Sequence, residues 1–209
     1  MRDRYGGDDD RYGRFLVEAS EIVDEEVQRL RALVREFSEF ARLPEPKPEE
    51  GDFGVLLDEL ARLYGADRVV VHRPPPDRPG LTGRFDAEEM KRVLINLIDN
   101  GLAACATAGR PESVEIRAAV EENGGLRIDV ADGGAGIAPD VIDRIFEPDF
   151  TTKREGMGLG LAIVDGIVSA HGGTIDVRSE RGVGSNFIIR LPATGRRPAN
   201  HGETERGRP

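Results

Sequence analysis

Residues 132–161 read DGGAGIAPDVIDRIFEPDFTTKREGMGLGL, and the fold is decided by what this stretch requires on either side of it. Upstream, Leu126, Ile128 and Val130 alternate with Arg127 and Asp129, the period of a half-buried strand. Asp132 therefore stands where a strand ends and a glycine-rich loop begins. A carboxylate there accepts a hydrogen bond from an exocyclic amine such as that of adenine. Gly133, Gly134 and Gly136 let the backbone approach a flat base and turn through positive φ. Downstream, Gly156, Gly158 and Gly160 run into the helical pattern Leu161, Ile163, Val164, Ile167 and Val168. Open amides at that helix start, with the positive end of its dipole, suit an anion such as a triphosphate. Lys153 and Arg154 add positive charge just upstream. Each piece alone is a weak signal, because Gly-x-Gly-x-Gly also occurs in ordinary tight turns.

Composition narrows the classes. A chain of 209 residues, 38% hydrophobic, has room for one domain of usual size with an accessory segment. The net charge of −10 argues against a nucleic-acid surface, which needs clustered Lys and Arg; it is compatible with ATP, whose site needs only a few local cations. The single cysteine, Cys105, lies in an apolar helical stretch, fits a reducing, cytoplasmic setting and reads as a small core residue. No apolar run approaches the roughly 18 residues of a membrane span.

In chain order, residues 1–11 are charged and read as a mobile start. Residues 12–41 take a helical pattern: Leu16, Val23, Leu30 and Phe37 recur at heptad spacing, with Val27, Val34 and Ala41 on the same side. That is an apolar face of about three positions in seven on a helix on the order of 45 Å long, suited to a bundle or a homodimer. The run LPEPKPEEGD, residues 43–52, breaks the helix and reads as a linker. Asp52 caps a short helix with Val55, Leu56, Leu60 and Leu63 on one face. Residues 69–72 predict a strand, and PPPDRPGLTG after them a loop. Asp86 and Glu89 form a capping box for a helix over residues 87–106. In that helix Asn96 and Asn100 stand four apart on one face, which is costly when buried unless something pairs them. Core asparagines bonded to nearby backbone are one reading; Asn100 as an oxygen ligand of Mg²⁺ is the other. Hairpin signals follow over residues 113–131, and two more strands over 174–178 and 186–191, while the end of the chain from about residue 193 reads as a disordered tail. Helices followed by hairpins predict a two-layer α/β sandwich with a mixed, mostly antiparallel sheet, preceded by one long helix.

The order NLIDNGLAA, DGGAG, FEPDFTTK, GMGLGLAIVDGIVSAHGG, GVGSNFIIRLP resembles the ATP-binding domain of sensor histidine kinases, over roughly residues 50–192. EFSEFARLPEPK looks like the second dimerisation helix and linker of the nitrogen-regulation type. The resemblance implies a Bergerat-type ATP fold with a flexible lid over residues 147–156. It divides the chain into a partial dimerisation region (1–42), a linker (43–51), the catalytic domain (52–192) and the tail (193–209). It implies Asn96 and Asn100 as paired asparagines with Asn100 on the metal, Asp132 on adenine, and Gly134, Gly136 and Ile137 under the base. Lys153 and Gly156 would come from the lid; Gly158, Leu159, Gly160 and Leu161 would flank the phosphates, and Ser185 would reach adenine through water. The implied reaction moves the γ-phosphoryl of Mg-ATP to a histidine of a dimerisation domain outside this chain, and the implied partners include a response regulator. Asn96 and Lys153 are the residues expected to serve that transfer.

The pattern has departures. Gly133 and Ala135 replace the usual Asn and Pro and are expected to loosen that loop, Asp149 replaces an aromatic, and Ala103 lacks a charge often found there. Two alternatives stay open: another ATPase or serine kinase of the same superfamily, and a non-catalytic ATP-binding module. The first needs a base, and carries Glu where Asn96 stands. An amide cannot take a proton from water or a hydroxyl, whereas a neutral imidazole is already a nucleophile. His72, His171 and His201 fail as acceptors by position, and the long helix contains no histidine, so self-phosphorylation is not expected, and a first dimerisation helix is expected upstream of Met1.

Overall fold

The computed structural model describes residues 9–41, 45–75, 80–148, 150–151 and 158–193. It divides into two units, Met1–Arg42 and Leu43–Pro209. The first is helix α1, Asp9–Ala41. It begins three residues before the apolar periodicity does, and Leu16, Val23, Val27, Leu30 and Val34 of its heptad face are exposed on the single chain. The expected mobile start, apart from its last residues, and the expected disordered tail, apart from residue 193, lie outside the described residues.

The second unit is a layered α/β structure. Strand β1 (Glu49–Asp52) pairs antiparallel with β3 (Thr82–Phe85). Both correct the sequence reading, which put residues 49–51 in a linker and Thr82 and Gly83 in a loop. Neither strand shows apolar alternation on both sides, and the register Gly51↔Gly83 and Asp52↔Thr82 runs through two glycines and an aspartate, residues with low strand propensity. Helix α2, Phe53–Tyr64, starts where expected: Asp52 Oδ1 accepts from Gly54 N at 2.8 Å. Phe53 meets Phe85 edge-on at 5.1 Å between ring centroids, so the start of α2 is pinned to the small sheet.

The main sheet has the order β2-β4-β5-β7-β6. Strand β2 is Val69–His72, β4 Val114–Val120, β5 Leu126–Asp132, β6 Thr174–Glu180 and β7 Gly184–Leu191. Only β2 with β4 is parallel; the other three pairings are antiparallel. This is the mixed, mostly antiparallel sheet that the hairpin signals predict. Helix α3, Ala87–Thr107, and helix α4, Gly160–Ala170, cover one face. Val114, Ile116, Ile128, Val130, Phe187 and Ile189 point into that layer and meet Leu94, Leu97, Ile98, Val164 and Val168, all buried. Each such side chain contributes about 1.5–3 kcal/mol of burial, so α3 and α4 are fixed to the sheet by apolar contact before any polar group is placed. Asp86 caps α3 through Glu89 N at 3.2 Å. Among the described residues no helix is long and apolar enough to cross a membrane.

Candidate nucleotide site

The strand that carries the buried alternation delivers Asp132 to its own last position. The side chain lies on the face covered by α3, and there is room because the helix has no side chain above it. A Cβ on Gly101 would stand 3.1 Å from Asp132 Cβ and 2.8 Å from Val114 Cγ2. Asp132 Oδ1 accepts from Gly134 N at 2.8 Å. Across the ladder Asp132 pairs with Ser185, which is buried. Burial pushes the Asp132 carboxyl above its ordinary range; the Gly134 and Ser185 amides and the Ser185 hydroxyl pull it back without cancelling that rise. The result is a half-buried acceptor fixed by backbone.

The loop after it is tied on several sides. Gly134 packs so closely on α3 that a Cβ would lie 2.5 Å from the Ala104 carbonyl carbon, and Ala135 N donates to Ala104 O at 3.2 Å. Gly136 has φ +66, and a Cβ there would lie 2.1 Å from Glu180 O. Gly182 N donates to Ala135 O at 2.7 Å. Ile137 N donates to Ser179 Oγ at 2.8 Å, Ser179 Oγ donates to Gly184 O at 2.8 Å, and Ser185 Oγ lies 3.0 Å from Ser179 Oγ. Ser185 therefore reaches the site as part of a two-serine bridge.

On the other side, Asn96 Nδ2 donates to Arg92 O at 3.0 Å, the backbone satisfaction that the plainer reading of this asparagine required. Its Oδ1 faces Gly160, where a Cβ would lie 3.0 Å away. Asn100, four residues on along the same helix, is half-buried. The side chain of Leu159 does not cap α4, so the helix start lacks the usual N-cap acceptor. Leu159 is buried, Leu161 half-buried, and Gly158 turns through φ +69. The structure thus brings Asn96, Gly160 and Asp132 to one end of the sandwich. Lys153, Arg154 and Gly156 lie outside the described residues, as do Asp149 and most of the expected lid. Of that segment Phe150 is described, with the Arg144 guanidinium 5.0 Å from its ring centroid.

Three residues here escape a reading of motifs. Gly101 carried a signal, since glycine inside a helix costs about 1 kcal/mol against alanine and marks a close approach. Ser179 and Arg110 carried none: Ser179 accepts from Ile137 N, 42 positions away, and Arg110 donates to the carbonyls of Gly133 and Gly182, 23 and 72 positions away. His171 makes two bonds to backbone at the end of α4: Nδ1 donates to Ile167 O at 2.8 Å and Nε2 accepts from Asp86 N at 3.0 Å. That pair of bonds is made by the neutral ring with its proton on Nδ1.

A two-layer sandwich in which a half-buried carboxylate ends a strand under one helix, while the N-terminus of a second helix abuts the first, is the architecture of a nucleotide-binding domain of the histidine-kinase ATPase class. The chain belongs to the histidine kinase-, DNA gyrase B- and HSP90-like ATPase family, whose model matches residues 85–195. It is 36% identical over 176 residues to the sensor histidine kinase ZraS of Escherichia coli strain K12, an alignment covering 83% of this chain and 37% of that protein. It is 32% identical over 200 residues to the nitrogen regulation protein NtrY of Azorhizobium caulinodans, covering 88% of this chain and 25% of that one. The chain therefore spans well under half the length of these relatives. Full-length ShkA in complex with AMPPNP superposes with a TM-score of 0.71 at 30% identity, over 87% of this chain and 40% of that one. The catalytic domain of the histidine kinase ThkA, nucleotide-free, gives 0.60 at 28% identity over 71% of this chain and 97% of that one.

Proposed function

We propose that this chain binds Mg-ATP where α3, the Asp132 loop and the start of α4 converge, and passes the γ-phosphoryl group to a histidine of a dimerisation domain. The observation that carries the reading is the approach of Gly160 to Asn96. It sets an amide of α3 against the uncapped start of α4, while Gly101, roughly 7.5 Å further along α3 at 1.5 Å per residue, roofs the Asp132 carboxylate. The base contact and the phosphate amides would thus stand about one and a half turns of α3 apart.

At the base end Asp132 accepts from the adenine amine, with the backbone of Gly134, Gly136 and Ile137 beneath the ring and Ser185 holding the carboxylate and a bridging water. At the phosphate end the amides of Gly158, Leu159, Gly160 and Leu161 receive the anion. Lys153 and Gly156 belong to this proposal through sequence alone. Asn100, half-buried on α3, offers the hard amide oxygen that Mg²⁺ takes beside phosphate oxygens and waters, and would hold the ion there. Bound there, the ion would neutralise charge on the phosphates. The chain's own work is positioning: fixing the base, aligning the phosphates and orienting them with Asn96 for in-line attack. An amide at Asn96 offers no base for water or a hydroxyl, so an imidazole is the fitting acceptor.

The histidine is not one of the described ones. His72 is exposed at the end of β2, and His171 is committed to backbone on both nitrogens; His201 lies outside the described residues. The exposed heptad face of α1 supports a second copy as its partner, giving the homodimer in which such acceptors sit, with a response regulator receiving the phosphoryl next. Calorimetric titration tests the site. Asp132→Asn replaces a charge-assisted acceptor by a neutral one and should weaken Mg-ATP by about 5- to 30-fold, and Asn100→Ala should abolish the gain in affinity that Mg²⁺ gives. Unchanged behaviour in both variants would overturn the assignment.

A further inference from the structure

Helix α3 ends at a left-handed Gly109, φ +65. Gly109 N donates to Ala106 O and Arg110 N to Cys105 O, each at 3.0 Å. In this two-bond ending the residue after the glycine commonly lays an apolar side chain back against the last turn. Here it is an arginine, and its guanidinium reaches forward instead. Nη1 donates to Gly133 O at 2.7 Å and Val183 O at 2.9 Å, with Gly134 O at 3.3 Å, and Nη2 donates to Gly182 O at 2.6 Å.

The four carbonyls belong to two segments. Gly133 and Gly134 lead directly out of Asp132; Gly182 and Val183 form the β6–β7 turn, which continues into Gly184 and Ser185. A Cβ on Gly184 would lie 2.1 Å from Asp132 O, so the turn and the Asp132 loop are already in backbone contact at their inner edge. Arg110 closes their outer edge, where Gly133 is exposed and glycines have no side chains with which to hold themselves. A planar fork of five donors suits several carbonyls at fixed angles; a lysine ammonium is a point charge with three.

We propose that Arg110 is a positioning residue for the base-binding end of the site: it sets the placement of the Asp132 loop, so that affinity for the adenine base and discrimination against guanine depend on it, while phosphate affinity does not. The inference rests on reading Asp132 as the adenine contact. A carboxylate accepts from the 6-amino group of adenine and repels the 6-oxo group of guanine, but only while its loop holds it in register.

The test compares the full chain with Arg110→Ala, Arg110→Lys and Asp132→Asn, titrated with Mg-ATP, Mg-GTP and inorganic tripolyphosphate, each with its unfolding midpoint measured alongside. Arg110→Ala should lose about 3- to 10-fold in Mg-ATP affinity, narrow the ATP-to-GTP ratio and leave tripolyphosphate unchanged; Arg110→Lys should recover only a fraction. A general loss of structure would weaken tripolyphosphate too, and that pattern overturns the proposal, as does wild-type ATP affinity and selectivity in Arg110→Ala. Should the alanine variant fail to fold, the same comparison is decided by Arg110→Lys. If Asp132→Asn weakens ATP and the Arg110 variants do not, the Arg110 assignment alone falls; if Asp132→Asn changes nothing, the base-site reading falls with it.

Discussion

Replacing Gly136 by alanine makes two demands at once, and its neighbour across the loop separates them. Gly136 has φ +66 and Gly182 has φ +78, so alanine at either carries the left-handed penalty of about 1–2 kcal/mol. Nothing lies within 4 Å of a Cβ on Gly182, whereas at Gly136 the Cβ would meet Glu180 O at 2.1 Å, Glu180 C at 2.7 Å and Arg181 Cα at 3.1 Å. All three are backbone atoms, which no rotamer change moves aside. Restoring a carbon–oxygen contact of about 3.3 Å means parting the two segments by roughly 1 Å. That parting pulls on the bonds from Gly182 N to Ala135 O at 2.7 Å and from Ile137 N to Ser179 Oγ at 2.8 Å, each worth about 1 kcal/mol net. Gly182→Ala should therefore cost about 1–2 kcal/mol and Gly136→Ala about 3–4 kcal/mol. Urea unfolding without nucleotide reads both, and a calorimetric Mg-ATP titration should show the larger loss of affinity in Gly136→Ala. Equal destabilisation of the two variants would refute the close approach between the loop and the β6 end.

Two carboxylates should give opposite pH signatures. Burial raises Asp132, so its contribution is full below the ordinary carboxyl range and lost as pH rises through its raised value; Asp132→Asn should gain stability relative to wild type between about pH 3 and pH 7. For Asp86 burial is outweighed by the amides of Lys47, Glu89 and Glu88, which lower it. Its contribution is present above the ordinary range and lost as pH falls, so the deficit of Asp86→Asn should be largest near pH 7 and close towards pH 3. Denaturant midpoints at both pH values check each sign, and a pH-independent difference counts against the burial account. His171→Ala removes the bond from Asp86 N that joins the α4 end to the start of α3, and the bond to Ile167 O within α4, and should cost about 1–3 kcal/mol in urea unfolding, with Mg-ATP affinity within about twofold of wild type; a selective loss of affinity would place His171 in the site.

What the sequence made legible was whatever local chemistry controls. The alternation of Leu126, Ile128 and Val130 located β5 and therefore Asp132, and Asp52 and Asp86 announced the two helix starts they cap. Strands β1 and β3 were not legible because their pairing is long-range and their residues, Glu49–Asp52 and Thr82–Phe85, include glycines and charges that read as loop. The site divides in the same way. Its carboxylate, amides and glycines are written in short motifs, while the parts that hold them, Gly101 above Asp132, the two serines and Arg110, act between segments that only folding brings together. The substitutions at Gly133 and Ala135 suggested a looser loop; the hydrogen bonds of Ala135, Ile137 and Arg110 supply from outside the motif what its own side chains omit.

The central claim is phosphoryl transfer to histidine, and it is tested most directly by incubating the pure chain with γ-labelled Mg-ATP, alone and with a histidine-bearing dimerisation hairpin supplied as a separate protein. The account predicts label on the hairpin, stable in alkali and lost in acid, dependent on Asp132 and Asn100, with none on the chain incubated alone. Tight Mg-ATP binding with no transfer to any such hairpin, or alkali-stable label on this chain itself, would contradict it.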